Sequence, residues 1–292
     1  MTDGAWRTRG GRPVPDPTGS RTRLLIAGDT HGNRSFVAYL AKQAVAQRCC
    51  GIVQLGDFGF WPDPYEHHTI TLDETWLSSV AEIVAEHRLW MRVIDGNHDF
   101  TPGVLASYKT RDQIVALRDG VLDWARRGAR WNWCATRFGA LGGAVSIDRH
   151  IRTPGHTWWP EEAIDETDVE RLGSEPLDVL LTHDAPLGAI ERHVRPLFPD
   201  QACRDNRQLV EAARKATRAK LVIHGHFHHR YSETMSAPPT RVEGLDADSA
   251  ANMGRPERAW AVLELPSLAF TGGERITRQA MLAYAEQEER MD

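Results

Sequence analysis

The chain has little lysine. Lys42, Lys109, Lys215 and Lys220 are the only four among 35 basic residues, and 40 acidic residues bring the net charge to −5. Binding a nucleic-acid backbone without sequence preference needs clustered positive charge, which this balance does not offer. Small anionic substrates stay open. Cysteine is also scarce, at Cys49, Cys50, Cys134 and Cys203, and no two form a Cys-x-x-Cys pair, which argues against a thiolate zinc site. Adjacent Cys49 and Cys50 are expected as buried thiols closing the first helix. No apolar run is long enough to span a bilayer, and the N-terminus lacks the apolar stretch of a secretion signal. A reducing cytoplasm is therefore the expected compartment.

A hydrophobic fraction of 41% over 292 residues is enough for a real core. Residues 1–21, rich in Gly, Pro, Arg and Thr, lack apolar periodicity and are expected to form a flexible arm. Residues 22–292 then form one domain. Apolar runs ending near Asp29, Asp57 and Asn97 alternate with helical spacing over about 35–47 and 72–86, so the first half predicts a parallel sheet. Right-handed crossovers put its strand ends on one edge. After His98 the pattern changes. The alternating run Trp131–Phe138 and the Gly-containing run 140–145 predict a hairpin, and helices are expected at about 161–172 and 204–218. A second hairpin is expected from Thr240–Leu245 and Trp260–Leu265, and a last polar helix over 274–290.

The chemistry sits at the ends of the apolar runs. Leu24–Ala27 leads into Gly28-Asp29-Thr30-His31-Gly32-Asn33, and Ile52–Leu55 into Gly56-Asp57. Leu89–Ile94 leads into Asp95-Gly96-Asn97-His98-Asp99, where Gly96 is expected to permit a sharp turn. Leu177–Leu181 leads into Thr182-His183-Asp184, and Leu221–Ile223 into His224-Gly225-His226-Phe227-His228. Any one of these is an ordinary polar strand end. Five in succession converge on the strand edge where open α/β sheets bind ligands. Asp, Asn and His supply oxygen and imidazole donors, which suit Mn, Fe, Zn, Co or Ni. Seven such residues are too many for one ion, whereas two ions ~3.5–4 Å apart could hold both oxygens of an in-line displacement.

This order of motifs resembles the calcineurin-like metallophosphoesterases. The resemblance implies an α/β fold, a two-sheet sandwich flanked by helices, with a dinuclear site at the strand C-terminal edge. It implies two divalent ions, Mn2+ first among the candidates. Asp29, His31, Asp57 and His228 would hold one ion; Asp57, Asn97, His183 and His226 would hold the other, with Asp57 bridging. It further implies phosphoester hydrolysis by a metal-bridging hydroxide, with His98 stabilising or protonating the leaving oxygen. The expected substrate is a small phosphodiester or nucleotide-type ester. A phosphomonoester, or a non-catalytic scaffold on the same fold, is the alternative; nucleic acid is a less favoured partner, no membrane partner is expected, and oligomeric state stays open.

The chain departs from one branch of that family. The phosphoprotein phosphatases continue Gly-Asp-x-x-Asp-Arg-Gly, whose second Asp supports the histidine; here Phe60 takes that position. Asp99 or Asp63 could substitute. Arg149 and Arg152 could clamp a phosphate. Trp158 and Trp159 either stack a base or anchor a surface loop in the core. The run Trp124–Trp133 interleaves Arg with Trp, a hint of nucleic acid that more often marks a solvated helix end running into a strand. His67, His68 and His229 lie near the motifs as loop residues, with His229 a candidate to support a ligand.

Overall fold

A computed structural model describes residues 22–62, 72–103, 112–118, 120–194, 200–248 and 255–272. The arm 1–21, the helix expected over 274–290, Asp63, His67 and His68 lie outside them.

Two sheets stack face to face. The first has seven strands, β1 (Arg23–Ala27), β2 (Gly51–Gln54), β3 (Met91–Val93), β4 (Ile114–Arg118), β5 (Leu122–Ala125), β12 (Trp260–Glu264) and β13 (Ala269–Thr271), ordered β13-β12-β1-β2-β3-β5-β4. The second has six, β6 (Arg130–Trp133), β7 (Thr136–Leu141), β8 (Val179–Thr182), β9 (Leu221–His224), β10 (Tyr231–Met235) and β11 (Thr240–Gly244), ordered β10-β11-β9-β8-β7-β6. β1, β2 and β3 are adjacent and parallel, as the strand–helix alternation predicts. β7, β8, β9 and β11 are parallel too.

Burial explains why these strands read as continuous apolar runs. Each central strand is covered on both faces, so no polar alternation is needed. Leu24, Ile26, Val53 and Leu55 point between the sheets and meet Phe138, Leu181 and Ile223. Leu25, Ala27 and Ile52 point outward under α1 (Arg34–Ala46) and α2 (Glu74–Glu86). On the far side Leu180, Val222 and Val242 pack beneath α3 (Glu166–Leu172) and α4 (Gln201–Thr217). The result is four layers, helix–sheet–sheet–helix. Side-chain caps start these four helices: Asn33, Asp73, Asp165 and Asp200 each accept from a first-turn backbone N–H.

Three expectations need correction. The first hairpin turns inside the alternating run, not after it. Cys134 and Ala135 both take left-handed φ, 46° and 57°, which matches the twist a two-residue hairpin turn requires. The 240–245 and 260–265 strands do not pair: β11 joins β9 and β10 in the second sheet, whereas β12 joins β1 and β13 in the first. Apolar pattern marks both as strands, but only tertiary packing decides which sheet each joins. Finally, the helix expected over 161–172 begins as a single 3-10 turn at Pro160–Glu162, and the α-helix starts only at Glu166.

Candidate metal centre

The C-terminal ends of both parallel sets meet at one edge. β1, β2 and β3 deliver Asp29, Asp57 and Asn97; β8 and β9 deliver His183, His226 and His228. Asp29 and Asp57 are almost wholly buried. The ligand atoms of Asp29, His31 and His228 lie within 4.8 Å of one another, and so do those of Asp29, Asp57 and His183. These compact sets share Asp29. Asp57 nonetheless faces both ways. Its Oδ1 is 3.3 Å from His183 Nε2, and its Oδ2 is 3.6 Å from His31 Nε2 and 3.9 Å from His98 Nε2.

The donors are held in place from behind. His183 Nδ1 lies 2.7 Å from the Leu55 carbonyl, which can only accept, so Nδ1 carries the proton and Nε2 faces the centre. The His226 backbone N–H donates to Asp29 Oδ1 at 3.1 Å, and His228 Nε2 sits 3.1 Å from Asp29 Oδ2. The His226 ring lies 5.1 Å from that of His183. Four of these residues carry backbone strain: His31, Asp57, His226 and His228 have φ of 43°, 52°, 67° and 47°. Left-handed φ at non-glycine residues is costly and concentrates at functional sites.

Asn97 is aimed by a chain of hydrogen bonds. Its Nδ2 donates to Ser146 Oγ at 3.0 Å, which turns Oδ1 towards His183 Nε2 at 3.0 Å. Ser146 in turn gives both its hydroxyl and its backbone N–H to Glu162, each at 2.6 Å. Gly96 has an unstrained φ, so its role is space and not a turn. A Cβ there would collide with the Asp57 carboxylate, and a Cβ on Gly225 would collide with that of Asp29.

The charge balance fits divalent cations. Asp57 Oδ1 and Asn97 Oδ1 both converge on His183 Nε2, an arrangement of acceptors that needs a proton or a cation at its centre. Burial opposes charge on His183, but Asp57 and Asp29 overcome it and push the imidazole up to about 10. His31 rises to about 9 against burial for the same reason, through Asp57, Asp29 and Asp248. Burial also disfavours ionisation of Asp29 and Asp57, yet His183 and its neighbours hold both carboxyls below the usual range. Imidazolium protons thus do a job that metal charge would take over. His226, buried with less carboxylate support, falls to about 3 and offers a neutral nitrogen.

His98 stands at the mouth, with a side chain 37% exposed. Arg152 Nη2 lies 3.3 Å from its Nε2. Arginine only donates, so that contact makes Nε2 the accepting nitrogen of a neutral ring. Burial, with Arg152 and His31, keeps this imidazole below its ordinary value despite Asp57. Asp99 does not take the place of the missing Asp, and Asp63 lies outside the described residues. Phe60 is buried edge-on against Phe58 and Trp124. Asp99 accepts from the backbone N–H groups of Phe58, Gly59, Phe60 and Gly96, clamping the Asp57 loop to the Asn97 loop.

The other singled-out residues scatter. Arg152 also pairs with Asp148 at 2.8 Å, whereas Arg149 turns away to Asp200 at 2.7 Å and to the Ser146 carbonyl. Trp159 packs on Phe100, an anchor in the core. Arg127 is buried on Asp95 and on the carbonyls of residues 161–163, and Trp131 stacks on Phe138, so this arginine–tryptophan run braces the interior. His229 stacks beside Tyr231, outside the cluster.

Three residues were missed. Asp248 approaches His31 Nδ1 at 3.6 Å and accepts from Asn33 Nδ2 at 2.7 Å. A signal existed: β11 is a further strand running into an acidic end, Asp246-Ala247-Asp248. Ser146 and Glu162 had none, because their meeting depends on a loop that doubles back.

Among the described residues no helix is long and apolar enough to cross a membrane. No curated protein sequence matches the chain. Solved structures do. A Thermus thermophilus protein is 14% identical with a TM-score of 0.53, the match covering 87% of this chain and 99% of that one. A dimetal phosphatase from Danio rerio is 14% identical with a TM-score of 0.53, over 87% of this chain and 96% of that one. At such identity these show a shared fold. The sequence model of the calcineurin-like phosphoesterases matches residues 22–230. With the fold, the strand-end donors and this match in agreement, the chain belongs to the calcineurin-like phosphoesterase family, hydrolases of phosphate esters.

Proposed function

We propose that this metal-dependent phosphoesterase cleaves a phosphodiester or nucleotide-type ester at a dinuclear centre, with Mn2+ as the first candidate metal. One ion would be held by Asp29, His31, Asp57 and His228, the other by Asp57, Asn97, His183 and His226. The observation that carries this reading is the two-sided Asp57, with Oδ1 towards His183 and Oδ2 towards His31. The ions, when bound, supply the charge that holds the phosphoryl oxygens and activates the attacking water.

The remaining work falls to this chain's own side chains. His98 reaches over the centre from outside the donor set and handles the proton at the leaving oxygen. Its Nε2 accepts from Arg152 as it stands, so it must gain a proton as substrate enters between the two. Arg152 then orients a phosphoryl oxygen. Arg149 supports that loop through Asp200. The scarcity of cysteine, four residues with no Cys-x-x-Cys pair, is in keeping with a reducing cytoplasm as the compartment.

The test is a panel on Mn-loaded protein: bis-p-nitrophenyl phosphate, p-nitrophenyl phosphate, cyclic nucleotides, and short RNA and DNA. Diester or nucleotide turnover with two ions per chain is expected. A preference for the monoester would shift the reading to a phosphomonoesterase. Two bound ions with no turnover anywhere would favour the scaffold.

A further inference from the structure

Beside the donor cluster opens a chamber of about 430 Å³. That is within the range of small-molecule sites, roughly 300–1,000 Å³. One end is formed by Asp57, Asn97, His98, His226 and His228. The rest of the lining is different in kind. Ile147 comes from the loop after β7, Ile190 and Val194 from the segment after β8, and Phe227 from between two donor histidines. Ile147 is 48% exposed and offers its aliphatic side chain to the chamber.

The charged residues of that part of the lining are already matched. Arg207 donates to Glu191 Oε1 at 2.9 Å and to the Cys203 carbonyl, and the Gly188 N–H donates to Glu191 Oε2. Asp148 pairs with Arg152. Asp184 accepts from Asn206 Nδ2 at 2.7 Å and from the Ala185 N–H. A second anionic group entering here would meet Asp148, Asp184 and Glu191, and among the described lining residues no uncommitted cation faces it.

We propose that this chamber seats the organic arm of the ester, and that it selects an uncharged, apolar or flat body such as an aryl group or a nucleobase. It discriminates against a second phosphate. The proposal rests on the phosphoesterase reading, since it needs the phosphoryl group fixed at the donor end. It deepens that reading by naming what the ester carries.

The test uses the full Mn-loaded chain and two pairs of probes. Phenylphosphonate and methylphosphonate report binding by calorimetry without reaction. Thymidine 5′-(4-nitrophenyl phosphate) and methyl 4-nitrophenyl phosphate share a leaving group and differ in the other arm. Burying the larger apolar group should favour phenylphosphonate, and the thymidine ester in kcat/KM, by about 10- to 100-fold. Ile147→Ser and Phe227→Ala should each pull both ratios towards one. Ile147 is half exposed, so its variant tests the chamber without testing the fold, and manganese content checks Phe227→Ala. A ratio near one in the wild type, ratios unmoved by both variants, or tighter binding of a bisphosphonate with a charged arm would each overturn the chamber. Phenylphosphonate preference with no turnover of either ester would keep the chamber and remove the catalytic reading. Turnover of both esters at equal kcat/KM would do the reverse.

Discussion

Replacing Ser146 with alanine tests the hydrogen bonds behind Asn97. Ser146 and Asn97 are 1% and 4% exposed, so water cannot substitute freely for what is lost. The hydroxyl donates to Glu162 and accepts from Asn97 Nδ2. Ser146→Ala therefore orphans one amide N–H and one carboxylate oxygen. Each buried unsatisfied group costs about 1–3 kcal/mol. Glu162, whose carboxyl is already raised by burial, can relieve part of this by taking up a proton. A loss of about 2–4 kcal/mol follows, seen as a melting point lowered by roughly 4–12 °C. The sharper consequence is local. Without Ser146 the acceptor that fixes Nδ2 is gone and only the His183 contact holds Oδ1 towards the centre, so the flipped amide, which presents NH2 to a cation, becomes more accessible. Loss of a group that orients a ligand typically weakens metal affinity 10–100-fold. Mn2+ titration of chelator-stripped protein by calorimetry should show one weakened site and one unchanged. Glu162→Gln, which leaves the hydroxyl in place, should cost less. Two unchanged affinities in Ser146→Ala, beside a lowered melting point, would refute the orienting role.

Asp57→Asn should lose at least one ion together with activity, since a neutral amide cannot balance two cations; full metal content by elemental analysis would remove Asp57 from the bridge. His98→Ala should keep both ions and lose rate by roughly 10²–10⁴-fold, with a smaller loss for p-nitrophenyl than for alkyl leaving groups, and equal losses would indicate charge stabilisation instead of proton donation. Arg152→Ala should lower kcat/KM about 10-fold with metal content intact, whereas Arg149→Ala, bound to Asp200, should do less; the reverse order would exchange their roles. The pH response should separate metal-free from loaded protein. His31 and His183 titrate at about 9 and 10 in the fold, against about 6.5 in the unfolded chain. Their stabilisation is complete below pH ~6.5 and lost as pH rises through the folded values. The stripped protein should therefore melt lower at pH 9 than at pH 7, whereas Mn2+, which replaces those protons, should bind more tightly and release protons on binding at pH 8. A stripped protein no less stable at pH 9 would contradict the charge balance described for the cluster.

Much of the fold was legible because the central strands are buried on both faces, so β1, β2, β8 and β9 stand out as apolar runs with chemistry at their ends. The elements that escaped are those whose character comes from elsewhere. β5 and β10 are mixed in composition, and the partners of β11 and β12 depend on which layer each segment reaches. The candidate donors were legible because five apolar runs in succession end in Asp, Asn or His, although any one such end is ordinary. The residues that aim them were not: Ser146 and Glu162 are ordinary polar residues until the chain brings their partners within reach, and Asp99, though it stood in the motif, shows its clamping role only in the fold. Phe60 illustrates the opposite case, since reading it as a departure from the phosphatase pattern came from the sequence alone.

The donor cluster lies across the seam between the two sheets, with Asp29, Asp57 and Asn97 on one side and His183, His226 and His228 on the other. No partial structure that forms only one sheet can assemble it. Ions held there would act as rivets, engaged only after the layers have closed. A contact made this late leaves the rate of folding nearly unchanged and slows unfolding instead. The loaded protein should then owe its persistence to a barrier more than to an equilibrium, and its lifetime under heat or protease should be set by how often an ion escapes.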